Sequence, residues 1–208
     1  MASRQAQRSE ETKAGIVAAA GRLFASKGYD AVTMREIAKE AGCSHTAIYI
    51  YFKDKEALLQ RLSMSPLLSL TERMEELLGQ EIEQEAKLKA VSLAFVSFGL
   101  ANRSTYALFF NVKAGRVDEK NPESELNRLR NRMFGLLSEA VRACLSLEPQ
   151  DERSLLCARI YFFAVQGILS TYAQSEETAE QLLARLTPTF ETTFDVVLAG
   201  LKANLAKA

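Results

Sequence analysis

Apolar residues recur at spacings of three and four along almost the whole chain, and no stretch alternates with period two, so the pattern predicts an all-α protein. The first predicted helix runs from about Ser9 to Ser26, turns Ile16, Ala20, Leu23 and Phe24 inward, and stops at Gly28. Arg4 and Arg8 precede it as an arm. Thr33 then stands before a second helical pattern with Glu36 three positions on, the spacing at which hydroxyl and carboxylate satisfy each other's amides as a capping box. Ile37, Ala38 and Ala41 share the inner face of that helix, Gly42 closes it, and Cys43 drops a small side chain into the angle beyond. Ser44 caps a short third helix. Its inner face holds Ile48 and Phe52, which leaves His45, Thr46 and Tyr49 pointing outward. Asp54 caps a longer helix starting at Lys55, whose first amides and lysine suit a phosphate, and Pro66 is expected to kink or break it. Two short helices across a glycine turn, followed at once by a third, form the layout of a helix-turn-helix, and the outward residues of its second helix would face DNA.

These residues resemble the TetR family of bacterial transcriptional regulators. The likeness is carried by Phe24-Ala-Ser-Lys-Gly28-Tyr29, the run from Thr33 to Gly42, then Ser44, Ile48-Tyr49, Tyr51-Phe52 and Lys55-Glu-Ala-Leu58, about the first quarter of the chain. The resemblance implies that Thr33, Ser44, Tyr49, Tyr51 and Lys55 hold phosphates while Arg35, His45, Thr46 and Ala47 approach base edges. It also implies a dimer whose DNA heads respond to a small molecule bound in the body, usually as repression. Cys43 stands where the family commonly has valine, and Thr46 where glycine or proline is frequent, which bears on the bases read.

The chain of 208 residues is long enough for a three-helix DNA-binding domain over residues 1–61 and an all-helical ligand-binding and dimerisation domain over 62–208. Its 26 Lys and Arg balance its 26 Asp and Glu, but unevenly: the first 61 residues hold ten cations against seven anions, and the remainder sixteen against nineteen. The basic end is the one that would meet phosphate. No apolar run near 18 residues reads as a membrane span and the polar start is no signal peptide, so a cytoplasmic protein is expected. Cys43, Cys144 and Cys157 lack metal-ligand spacing and read as reduced core residues. His45, the only histidine, turns away from Cys43, so neither a metal nor any other cofactor is expected. No Gly-rich phosphate loop, nucleophile motif or buried carboxylate pair argues for an enzyme.

Beyond the head, helical segments are expected at about Glu83 to Asn102, Thr105 to Val112, Pro122 to Leu145, Asp151 to Gln174 and Glu176 to Leu205. Pro188 is expected to restart the last as a new helix, and the polar run Lys113 to Asn121 to form a mobile loop. Aromatic residues collect in these segments. Phe95, Phe98, Phe109, Phe110, Met133, Phe134, Phe162 and Gln166 are the candidate lining for a mostly apolar effector, with Arg103 or Arg159 at its rim for any charged end. Such stripes also serve as plain core, and the alternative for Gln166 is a bond across a dimer seam or to a neighbouring backbone. The last two long segments, Asp151 to Gln174 and Pro188 to Leu205, are expected to pack against their mates in a second copy, the latter through an apolar stripe of Phe190, Phe194, Val197, Leu198 and Leu201. The expected function is a sequence-specific regulator that binds double-stranded DNA. It would be a repressor and homodimer released from a palindromic operator by an apolar small molecule, with no membrane partner. A DNA-binding regulator without such a ligand, controlled by a protein partner or by abundance, is the alternative.

Overall fold

The computed structural model describes residues 4–111 and 125–207, and the expected loop from Lys113 to Asn121 lies outside them. Nine helices and no strand occur among the described residues: α1 Arg4–Lys27, α2 Met34–Glu40, α3 His45–Tyr51, α4 Lys55–Leu78, α5 Gln84–Ala101, α6 Arg103–Asn111, α7 Glu125–Cys144, α8 Arg153–Thr171 and α9 Ala179–Leu205. They fall into two compact units, one from Met1–Pro66 with Ser104–Ala114, the other from Leu67–Arg103 with Gly115–Ala208. The first unit therefore takes in α6 as well as the head helices, a partition that differs from a single cut after residue 61.

In the first unit, α1 starts earlier than its apolar pattern suggested, so Arg4 and Arg8 belong to the helix and do not precede it. Ile16, Ala19, Ala20 and Phe24 of α1 pack with Val32, Met34, Ile37, Ala38, Ile48, Phe52, Leu58 and Leu59 in one core. A β-carbon at Gly21 would stand 3.2 Å from Leu62, so the glycine lets α1 lie close to α4.

The second unit packs α5 against α7, α8 and α9, and α8 against α7 and α9. Tyr161 is its largest fully buried side chain. The Ser92 hydroxyl gives its proton to the Leu88 carbonyl at 2.7 Å, so the Tyr161 hydroxyl donates to Ser92 Oγ at 2.9 Å and ties α8 to α5. Its ring also stacks on Phe194 of α9 at 6.0 Å.

Pro66, expected to kink or break its helix, and Pro188, expected to restart one, both lie inside helices. α4 runs through Pro66 and α9 through Pro188 without a break. An interior proline costs about 3 kcal/mol and leaves one carbonyl without its donor. In α9 that carbonyl belongs to Ala184, an exposed residue, while Thr187 Oγ1 bonds the Leu183 carbonyl at 2.6 Å. The buried row Leu182, Leu186, Phe190, Phe194, Leu198 and Leu201 continues past the proline and offsets the loss. In α4 the row is Leu58, Leu59, Ser63, Leu67, Leu70 and Met74.

That α9 row also corrects the expected seam. Phe190, Phe194, Leu198 and Leu201 are buried within the protomer, so they form its own core, and Val197 is half-buried. The outer face of α9 shows Thr189, Thr192, Val196 and Gly200 instead. α8 is apolar on two sides: Cys157, Ala158, Tyr161, Val165 and Leu169 face the core, while Leu155, Leu156, Ile160 and Phe163 are exposed. This all-round apolarity gives α8 the length and hydropathy of a membrane span, mean hydropathy 1.4, contrary to the expectation that no such run exists. Its inner face is nevertheless committed to the helical body.

Candidate nucleic-acid interface

The arrangement of α2 and α3 follows from local chemistry at three points. Thr33 Oγ1 accepts from the Glu36 amide at 3.2 Å and the Thr33 amide donates to Glu36 Oε2 at 2.9 Å, completing the capping box. Lys27 adds a bond to Glu36 Oε1 at 2.9 Å. That bond first, with the two from Thr33, holds the Glu36 carboxyl down at about 2. A carboxyl lowered in the folded state contributes stability that is present above its usual value near 4.5 and is lost as pH falls towards 2. At the other end Gly42, at φ +70°, lets its amide reach the Lys39 carbonyl (3.2 Å) and the Cys43 amide reach Ala38 (3.0 Å), a Schellman closure. Ser44 Oγ then accepts from the Ala47 amide at 3.0 Å and starts α3.

The outward residues emerge as a face. His45, Thr46, Tyr49 and Ile50 are exposed on α3, and the His45 imidazole meets the Tyr49 ring edge-on at 5.3 Å. Arg35 is exposed on α2. Ser44 is exposed, and its hydroxyl proton is not consumed by the cap. Thr33 is exposed too, yet its hydroxyl proton goes to Glu36 Oε2 at 2.9 Å, so it holds the helix start and has no donor left for a phosphate while the box stands. Ala47 and Tyr51 are half-buried, the latter packed on the head core. Lys55 lies against the end of α1: Nζ donates to the Tyr29 carbonyl at 2.8 Å and to Asp30 at 3.4 Å, and stands 4.5 Å from the Tyr29 ring centre. Cys43 packs on the core while His45 is exposed, so the two do not converge. The residue missed is Ile50, 78% exposed. Its type suggests core, but it lies about 200° around the helix from buried Ile48, and that spacing alone marks it as outward.

In the second unit, Phe95 of α5, Phe134 of α7 and Phe162 of α8 come together: Phe162 meets Phe134 edge-on at 5.5 Å and Phe95 at 6.5 Å. Met133 is buried beside Phe134 in sequence, Phe98 is half-buried, and Gln166, also half-buried, follows Phe162 by one turn. Phe109 and Phe110 are on α6 and group with the first unit, where their rings meet edge-on at 4.6 Å. Arg103, expected at the rim, is spent on the Ser175 and Glu177 carbonyls and fastens the turn between α8 and α9.

Residues 16–62 match the model of the bacterial regulatory proteins of the tetR family, and residues 88–201, more than half of the chain, match that of the tetracyclin repressor-like C-terminal domain. The fatty acid metabolism regulator protein of Bacillus subtilis (strain 168) is 27% identical over 165 residues, covering 78% of this chain and 84% of that protein. The transcriptional regulator HbdR of Aromatoleum sp. (strain CIB) is 29% identical over 176 residues, 79% of this chain and 72% of its own. The solved fatty acid degradation regulator FadR of Bacillus halodurans shares the fold at a TM-score of 0.64 and 20% identity, over 92% of this chain and 96% of that one. The chain belongs to the TetR family: it is a DNA-binding transcriptional regulator of helix-turn-helix type and not an enzyme. Members bind DNA operators as dimers, often with small-molecule effectors.

Proposed function

We propose that this protein acts in the cytoplasm as a homodimeric repressor on a near-palindromic operator and is released from it by a mostly apolar small molecule. The observation that carries the reading is the exposed row His45, Thr46, Tyr49 and Ile50 on a helix held by a capping box, a Schellman turn and a serine cap. One helix of seven residues offers few base contacts, so two heads on half-sites about 34–36 Å apart, or a multiple of that, supply the specificity. Arg35, His45, Thr46 and Ala47 would read bases; Thr33, Ser44, Tyr49, Tyr51 and Lys55 would fix the phosphates, Thr33 by holding the start of α2. The outer faces of α8 and α9, with Leu156, Ile160, Phe163 and Val196, are the proposed seam.

The effector would sit where Phe95, Phe134 and Phe162 meet, with Phe98 and Met133 as further candidate lining and Gln166 as a neutral polar group. The site so proposed does not include Phe109 and Phe110, which group with the first unit. Relatives named for fatty acid metabolism and degradation favour a fatty acyl compound. The effector need only prefer the DNA-incompetent state, and a preference of about 3 kcal/mol lowers affinity about a hundredfold. α4, whose residues fall in both units, is the element through which the body would shift the head.

The test selects an operator from random duplexes and titrates the complex with fatty acids and their thioesters. Release by an acyl compound that Phe134→Ala or Gln166→Leu abolishes, with operator affinity kept, supports the reading. Failure of every apolar compound to release the DNA leaves control by a protein partner or by abundance.

A further inference from the structure

Ile50 is the most exposed large apolar side chain among the described residues. Single exposed apolar residues are common and need no explanation on an indifferent surface. This one is not on an indifferent surface. It follows Tyr49 in sequence and Thr46 by one turn, so it extends the row His45, Thr46 and Tyr49 on the outward side of α3. Its three companions all carry hydrogen-bonding groups, whereas isoleucine has neither donor nor acceptor and gains only by displacing water from another apolar group.

Within the major groove, one apolar group is sequence-specific: the C5 methyl of thymine. A helix of seven residues is about 10 Å long, against a groove about 12 Å wide, so its second turn enters the groove together with its first. We propose that Ile50 is a specificity-determining residue that reads a thymine methyl, one in each half-site, beside the polar contacts made by His45 and Thr46. The inference rests on α3 being the DNA-facing helix, as proposed above. It adds a preference that hydrogen-bond pairing rules do not contain, because the base is recognised by its methyl and not by its donor and acceptor pattern.

The test is a cycle between protein and base. The operator is selected with the whole protein, and each symmetric pair of thymines is replaced by deoxyuridine, which removes the methyl and leaves pairing unchanged. At one pair, the wild type should lose about fourfold per methyl, about fifteenfold for both half-sites, the value of one apolar carbon taken out of water. Ile50→Ala should lose a similar amount on the thymine operator and nothing further on the deoxyuridine one, whereas Ile50→Val should keep most of the discrimination. At 78% exposure the alanine variant should melt like the wild type, so lost affinity reports contact and not unfolding. The inference is overturned by any of three results: a methyl effect equal in wild type and Ile50→Ala at every position, an Ile50→Ala loss equal on thymine and deoxyuridine operators, or a selected operator with no thymine under α3. If no duplex is selected at all, the DNA-reading role of α3 falls instead.

Discussion

Replacing Lys55 by methionine keeps the apolar stem and removes the ammonium, which separates its bonds to Tyr29 and Asp30 from its proposed phosphate contact. Nζ makes one short bond to the Tyr29 carbonyl at 2.8 Å, one weak bond to Asp30 at 3.4 Å, and a contact with the Tyr29 ring at 4.5 Å. A hydrogen bond to a charged group contributes about 1.5–3 kcal/mol and an exposed cation over a ring about 0.5–1. The half-buried carbonyl can turn to water once the lysine is gone, so the low end applies and Lys55→Met should destabilise the head by about 2 kcal/mol. The ammonium has three protons, two of them engaged, which leaves one for a phosphate. If each half-site uses it, the slope of log affinity against log salt should flatten by about 1.8 for the dimer, alike on selected and random DNA. Hydrogen exchange of α2 and α3 reads the first effect; operator titrations between about 50 and 200 mM salt read the second. Lys55→Arg should restore the slope. A head that loosens with the slope unchanged would show that Lys55 is a buttress alone. A flattened slope without loosening would show that the bonds to Tyr29 stabilise nothing.

The proposed seam predicts that Phe163→Asp, on the outer face of α8, gives a folded monomer by sedimentation, with operator binding down at least about a hundredfold as the second head is lost; a persisting dimer places the seam elsewhere. Phe194→Ala should act on the fold instead, costing about 3–5 kcal/mol in urea. At the α5–α8 tie, Ser92→Ala leaves the buried Tyr161 hydroxyl without its acceptor and should cost about 1–3 kcal/mol, more than Tyr161→Phe at about 1; the double variant should cost less than the sum, and strict additivity would mean that the bond is not made.

The head was legible because its signals are local. The Thr33–Glu36 box, the glycine at position 42 and the Ser44 cap each act over three or four residues, and the bonds they specify are the bonds made. Ile50 was hidden only by its residue type. The body was less legible because its questions are tertiary. The row from Phe190 to Leu201 announces a face that must be covered without saying by what, and the answer is the protomer's own core. The true outer face of α9, with Thr189, Thr192, Val196 and Gly200, carries almost no apolar signal. Pro66 and Pro188 were read from their local cost, and the burial on both sides of each, which decides the outcome, is not a local quantity. The Lys55 ammonium was legible as a charge, but its bond to a carbonyl 26 residues away was not.

The two-sided character of α8 has a thermodynamic consequence. With the proposed seam, a helix with Tyr161 and Val165 on one side and Leu156, Ile160 and Phe163 on the other would serve two cores, one closed within the chain and one completed by a second copy. The stability of such a protein has no single value, since it rises with the concentration of protomers. At low protomer concentration the lone protomer is the species with bare apolar surface on α8. A substitution on α8 is then felt twice, once in folding and once in the concentration at which folding is worth anything to the cell.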